Sequence, residues 1–437
     1  MIHPMPRYII LFLALAVLSA WAQDSTSWTL ERCLGAAIQN SPRLAASRQT
    51  VAGAQAASDE SAASRFPMLG VNGNYSYTNK VQEVNVPLTL PIPGFTPPSI
   101  SFGNGNVYDV QAVVKAPIYM GGTLAENAQA GRFAAAASRY DLASDSLSLM
   151  YNVRRAYYNA LGAEARVDAA QTSTARIQRN LQTIIEGQKL GANSEENHIA
   201  ALSRLRQAEE AVVNARNQAR AARLTLGGLV IEPGKEIIPA GDLNQPLVDS
   251  TALAVVPLES RAEVASANAR IEQSLHVTRA SKGSLLPSLS GNAAYHYAKP
   301  GLDVTENKWM DYWSAGVTAS WTLWDWNTRK HHIQQAQANR VALEDRKQDL
   351  ITSLETRQQT ALDALAAARE VKGKASEHAS LERQRLALVE GRLKLGAATE
   401  TEYLDAQDDL AAAETDYASA LAALRLAEAD LLNASGY

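Results

Sequence analysis

The sequence predicts a mixed α and β membrane protein built from a duplicated unit, in which a membrane β-hairpin is joined to a long helical hairpin. Three observations predict it. An internal repeat keeps its register along most of the chain, four short segments alternate apolar and polar residues with period two, and each pair of segments is followed by small and apolar residues recurring in steps of three and four. The elements follow in chain order.

The N-terminus reads as a secretory signal over residues 1–22. Arg7 precedes an apolar run from Ile9 to Leu18, and Ala20-Trp21-Ala22 supplies small residues for cleavage before Gln23. That run is too short to span a bilayer as a helix, and no later stretch approaches the ~20 apolar residues needed. A membrane span must therefore be made of strands. Cys33 is the only cysteine, which excludes an intramolecular disulfide, a cysteine zinc site and an acylated first residue. Lys and Arg number 41 against 45 Asp and Glu, a net charge of −4 with no basic stripe, so nucleic acid is not an expected partner. The mean hydropathy is −0.19 although hydrophobic residues make up 46% of the chain, because much of that content is alanine. Alanine on polar-faced segments suits closely packed helices.

The first repeat is expected over 23–227, with a helix, a β-hairpin at about 66–119 and a helical hairpin at about 123–227. The second spans 258–437, with its β-hairpin at about 287–324 and its helical hairpin at about 328–433. Phe66-Pro67-Met68-Leu69 matches Leu286-Pro287-Ser288-Leu289, and Tyr75 and Tyr77 match Tyr295 and Tyr297, at an offset of 220 (287 − 67). Lys189-Leu190-Gly191-Ala192 matches Lys394-Leu395-Gly396-Ala397 at an offset of 205 (394 − 189). The change falls within one loop, 78–106 against 298–311.

In the hairpins, Val71, Gly73, Tyr75 and Tyr77 share one face opposite Asn72, Asn74, Ser76 and Thr78. Tyr108, Val110, Ala112, Val114 and Ala116 oppose Asp109, Gln111 and Lys115; Leu289, Tyr295 and Tyr297 oppose Ser288, Asn292 and His296. Trp313, Val317, Trp321 and Leu323 oppose Ser314, Thr318, Ser320 and Thr322. A soluble sandwich also alternates, but five of the seven tryptophans fall within 309–326. Aromatics gather at both strand ends: Tyr75, Tyr77, Tyr108, Tyr295, Tyr297, Trp309 and Trp313 at one, Phe66, Tyr119, Trp321, Trp324 and Trp326 at the other. Two aromatic belts fit the two interfaces of a lipid bilayer. Four strands cannot close a transmembrane barrel, which needs about eight, so the barrel is shared between chains.

A heptad-like stripe runs from Val153 through Ala160, Val167 and Ile177 to Ile184, and returning stripes run from Ala201 to Leu226 and from Tyr403 to Leu431. Residues 123–188 as one helix reach roughly 100 Å at ~1.5 Å per residue. Glycines and prolines at 227–257 break both periods, and 228–257 is read as a connector packed outside the helices. Pro87, Pro91, Pro93, Pro97 and Pro98 mark 81–106 as a stiff exposed loop.

Leu30-Glu31, the run Ala36-Ala37-Ile38-Gln39-Asn40-Ser41-Pro42-Arg43-Leu44, the two aromatic- or leucine-proline pairs before the strands and the two Leu-Gly turns, in this order, resemble the TolC family of outer-membrane factors. Ser260-Arg261-Ala262-Glu263-Val264 stands where that family often has Asn-Arg-Pro-Glu-Leu. The resemblance implies a homotrimer with a shared 12-stranded transmembrane β-barrel, continued by a periplasmic α-barrel. It implies a passive channel in the outer membrane, extending into the periplasm, for a tripartite efflux pump or a type I secretion system. The implied partners are outer-membrane lipid, a periplasmic adaptor protein and an inner-membrane pump of RND, ABC or MFS type. It also implies that Glu402 and Asp405, sharing a helix face beside the second turn, line the periplasmic aperture. Leu393 and Ala398 stand where the best-known member has an aromatic and a basic latch residue. The turns Leu190, Gly191, Ala192, Leu395, Gly396 and Ala397 are the expected docking surface, since glycine reverses the chain and leaves its backbone approachable.

No catalytic or cofactor chemistry is expected. His331 and His332 point to different helix faces, and His198, His276, His296 and His378 are scattered without ligand spacing, which reads as surface or rim histidines and no metal site. No phosphate loop or nucleophile elbow is present. A periplasmic coiled-coil adaptor is the alternative, but it would carry one helical hairpin and glycine-rich lipoyl-like strands. A trimeric structural or adhesin protein would lack the returning helices and the duplication.

Overall fold

The computed structural model describes residues 28–85, 93, 99–102, 105–191, 193–230, 234–247, 256–303 and 306–437. The expected signal segment, Ala192 and four of the five loop prolines lie outside them. Among the described residues the helices are α1 (Leu30–Asn40), α2 (Pro42–Ala63), α3 (Thr123–Lys189), α4 (Glu195–Val230), α5 (Ala262–Gly283), α6 (Thr328–Lys394) and α7 (Glu400–Ser435). The strands are β1 (Met68–Tyr77), β2 (Gln82–Asn85), β3 (Ser99–Phe102), β4 (Asn106–Met120), β5 (Ser288–Lys299) and β6 (Met310–Ser320). No described helix is long and apolar enough to cross a membrane.

The duplication is visible in element lengths. Helices α2 and α5 each have 22 residues and start 220 apart (262 − 42). Helices α3 and α6 each have 67 residues, and α4 and α7 each have 36; both pairs start 205 apart (328 − 123, 400 − 195). At ~1.5 Å per residue the 67-residue helices are each about 100 Å long. Compactness does not follow the repeats, however. The chain divides into one unit of Met1–Pro42, Ser146–Val255 and Thr356–Tyr437 and another of Arg43–Asp145 and Val256–Glu355, each drawing on both copies.

The second unit holds a four-stranded antiparallel sheet in the order β1-β4-β5-β6, so the two hairpins pair through β4 and β5. Its register stacks like with like. Val71 faces Ala112, which faces Tyr295, which faces Trp313. One residue along, Asn72, Gln111, His296 and Tyr312 form a polar row on the other face. Large apolar side chains on the first face remain open, Val71 at 74% and Trp313 at 76% exposure. A β-bulge between Pro117 and Tyr119 shifts the register so that Tyr119 pairs with Leu289 and returns to the apolar side. The segment 81–106, expected as a stiff exposed loop, contains a second, two-stranded sheet of β2 and β3. β6 ends at Ser320, so Trp321 and Leu323 follow the strand instead of lying on it.

The first unit has a core where α1, α3, α4 and the connector meet: Cys33, Val153, Tyr157, Leu226, Val230, Ile237 and Leu243 are all buried. That burial carries α4 through Gly227-Gly228 to Val230, past the expected break at 227. The connector is fastened at several points. Trp28 bridges to Pro239, Tyr157 Oη donates to the Ala240 carbonyl at 2.5 Å, and Arg425 Nε donates to the Leu243 carbonyl at 2.8 Å.

Candidate aperture and docking turns

Both hairpin turns reverse on a left-handed glycine, Gly191 with φ 75° and Gly396 with φ 71°. Each glycine N–H caps its preceding helix, Gly191 on the Gln188 carbonyl and Gly396 on the Leu393 carbonyl, both at 3.0 Å. The leucine before each glycine stands out into solvent: Leu190 is 83% and Leu395 84% exposed. Ala397 is exposed, and its carbonyl accepts from Arg392 at 2.8 Å.

After the second turn, Thr399 and Glu402 form a capping box. Thr399 Oγ1 accepts from the Glu402 N–H at 3.2 Å, and Glu402 Oε2 accepts from the Thr399 N–H at 2.9 Å. The equivalent residues after the first turn are Ser194 and Asn197. Ser194 Oγ accepts from the Asn197 N–H at 3.2 Å, and the Asn197 side chain is one methylene shorter than that of Glu402. Glu402 therefore has a structural task, and Arg392 lies 4.0 Å from it. Asp405 is engaged as well: Arg204 of α4 donates to its Oδ1 at 2.7 Å and also contacts Asp408. Arg385 reaches Asp409 at 2.5 Å and Glu382 at 3.1 Å. Glu402 and Asp405 are the acids the resemblance points to; Arg204 and Asp408 were not expected there, because the pairing joins helices about 200 positions apart.

Beneath the turns, Ile177, Leu181, Ile184, Leu205 and Leu404 form an apolar cluster. An open groove of about 700 Å³ is lined by Arg176, Arg179, Asn180, Tyr403 and Gln407, among others. Buried Gln407 presents an Oε1 without a hydrogen-bond partner among the described residues. Glu414 accepts from Arg176 at 2.7 Å and from Arg383 at 2.9 Å. Burial alone would raise its pKa, but the two guanidinium groups outweigh burial and hold the carboxyl below its ordinary value.

At one end of the sheet Tyr75 lies 4.9 Å from Tyr108, and Tyr297 stacks on Trp309 at 4.7 Å; Tyr295 pairs across from Trp313, and Tyr77 closes β1. At the other end are Tyr119, Trp321, whose Nε1 donates to the Leu285 carbonyl, and Trp324, edge-on to Trp326 at 5.8 Å. Two histidines depart from the surface or rim reading. His296 sits within β5, 3.2 Å from Asp109 and stacked on Tyr312, because the polar row places them side by side. His276 is 2.6 Å from Glu126 and stacks on Phe133. No group of three or more His, Cys, Asp or Glu among the described residues could hold a metal ion.

A family model described as outer membrane efflux protein matches residues 33–230 and 255–437. The chain belongs to the outer membrane efflux protein family. It is accordingly an outer-membrane efflux channel, a transport conduit and not an enzyme. No curated protein sequence matches it significantly. Among solved structures, CusC, described for its folding and transmembrane channel formation, shares 16% identity over 93% of this chain and 92% of its own, with a TM-score of 0.78. The open-state MtrE outer membrane channel of Neisseria gonorrhoeae shares 18% identity over 93% and 88%, with a TM-score of 0.77. VceC, an outer membrane protein of Vibrio cholerae, shares 16% over 93% and 96%, with a TM-score of 0.75. At these identities the likeness is one of fold, and this efflux protein shares the four-stranded sheet and paired long helical hairpins with them.

Proposed function

We propose that three copies of this efflux protein form one channel, with a 12-stranded β-barrel in the outer membrane continued through the periplasm by an α-barrel of helical hairpins. The observation that carries this reading is the open four-stranded sheet. Among the described residues its outer strands β1 and β6 are paired on one side only, and one face exposes large apolar side chains such as Val71 and Trp313. In lipid every backbone polar group needs a partner, so such a sheet is stable only when closed, and four strands are too few to close alone. Tyr75, Tyr77, Tyr295, Tyr297 and Trp313 then mark one membrane interface, and Tyr119, Trp321 and Trp324 the other.

Leu190, Gly191, Ala192, Leu395, Gly396 and Ala397 form the docking tips for a periplasmic adaptor, which couples the channel to an inner-membrane pump of RND, ABC or MFS type. The exposed leucines and the open groove between the hairpins, with Gln407 Oε1, unpartnered among the described residues, in its lining, support that assignment. Glu402 and Asp405 line the periplasmic aperture in this reading. The domain plan follows: signal peptide at 1–22, repeats at 23–227 and 258–437, and an equatorial connector at 228–257.

The test is the mass of the detergent-solubilised protein, measured by sedimentation, together with bilayer conductance. A conducting trimer is expected; a monomer or dimer that conducts would refute the shared barrel. Leu395→Cys in an assembled pump is expected to crosslink to the adaptor, and clean absence of crosslinks would refute docking at this turn.

A further inference from the structure

Four of the five acids in the first three turns of α7 are compensated by a base, while the fifth, Glu400, accepts from the Asn180 amide. Helix α7 carries Glu402, Asp405, Asp408 and Asp409 within its first three turns, and each has a basic partner. Arg204 is the unusual one, because a single guanidinium from α4 serves both Asp405 and Asp408, which are spaced i, i+3 on one helix face. It also lies deeper than they do, its side chain 24% exposed against 54% for Asp405 and 46% for Asp408. The carboxylates face solvent and the cation sits behind them. A partner held at that depth is less screened by salt than one extended into water. The repeat sharpens the point, since position 204 corresponds to 409 (204 + 205). The two copies put opposite charges, Arg204 and Asp409, at the same place.

We infer that Arg204 sets the ion selectivity of the aperture by cancelling part of the Asp405 and Asp408 charge. This inference rests on the aperture reading above. One positive charge against two negative ones leaves a ring that is weakly cation-attracting, where bare carboxylates would attract cations strongly and bind multivalent ones. Arg204 and the two acids then act in opposite directions on one measured quantity.

The experiment uses the reconstituted trimer in planar bilayers, reading the K⁺/Cl⁻ permeability ratio from the reversal potential and block by lanthanum. Arg204→Gln is expected to raise the ratio severalfold and to deepen lanthanum block. Asp405→Asn with Asp408→Asn is expected to lower the ratio, and the triple variant to fall between the two. Arg204→Lys keeps the charge and is expected to keep the wild-type ratio, which separates charge from packing. Arg204→Gln leaving ratio and block unchanged, while the double acid variant shifts them, would overturn the role of Arg204 and leave the aperture reading intact. If Arg204→Lys shifts the ratio as far as Arg204→Gln, the effect is one of shape and the inference fails. If neither set moves selectivity in a normally conducting trimer, the constriction lies elsewhere and both readings fall.

Discussion

The two copies of the repeat share the lengths of their paired helices and differ in chemistry. Their paired helices match in length to the residue, and even the turn into each long helix is alike. Gly121 and Gly122, with φ of 63° and 81°, correspond to Trp326 and Asn327, with φ of 57° and 66°. The side chains at these positions have diverged according to what each touches. Arg425 and Glu428 of the second copy form a buried pair at 2.5 Å, each 6% exposed, while their counterparts Arg220 and Arg223 both pair with Glu236 nearer the surface. Duplication has preserved the path of the chain, and packing partners have decided which polar groups became indispensable.

That contrast is most easily broken at the buried pair. Glu428 also accepts from the Leu247 N–H, and Arg425 also donates to the Leu243 carbonyl, so the pair fastens the connector. Arg425→Ala leaves Glu428 charged, buried and uncompensated, which costs about 3–5 kcal/mol. Arg220→Ala removes a surface pair worth about 0–1 kcal/mol. Thermal unfolding followed by circular dichroism should separate the two variants widely; equal losses would mean that the copies do not differ in this way.

The turn into the long helices offers the next test. A Cβ on Gly121 would lie 2.1 Å from the Gly283 carbonyl oxygen, an impossible contact with backbone, whereas the side chain of Trp326 is 82% exposed. Gly121→Ala adds that clash to left-handed strain of about 1–3 kcal/mol. Trp326→Ala exchanges one side chain for another at the same φ and should leave the thermal transition nearly unmoved. Tolerance of alanine at 121 would show that the two backbones can move apart.

Much of this was legible in the sequence, because it is local. Period-two alternation around Tyr75 and Tyr295 needs only neighbours to be read, and so do the Leu-Gly turns. The β-bulge after Pro117 was not legible, since it depends on pairing with β5. Nor was the continuation of α4 over Gly227-Gly228, where burial of Leu226 and Val230 overrides the local cost of glycine. At the candidate aperture, the resemblance pointed to Glu402 and Asp405, but nothing local pointed to their partners. Arg204 reaches Asp405 from a different helix, and Thr399 claims Glu402 through a capping box, a pattern that Thr399-Glu400-Thr401-Glu402 carries locally.

The smallest expected difference between the copies is one of pH. Glu414 is mostly buried between Arg176 and Arg383, while its counterpart Glu209 lies near the surface, paired with Arg206 one turn earlier on its own helix. A carboxyl held below its ordinary value of 4.5 contributes stability that is present above that pH and lost as pH falls through its folded pKa. Glu414→Gln removes this contribution. The gap in thermal transition between wild type and Glu414→Gln should therefore be widest at neutral pH, narrow below 4.5, and disappear once the wild-type carboxyl is protonated in the folded state. Glu209→Gln should show only a small gap at neutral pH, because an exposed pair is screened by water. A gap for Glu414→Gln that stays constant into acid would place the value of this residue in its shape, and the two arginines would then be neighbours and not partners.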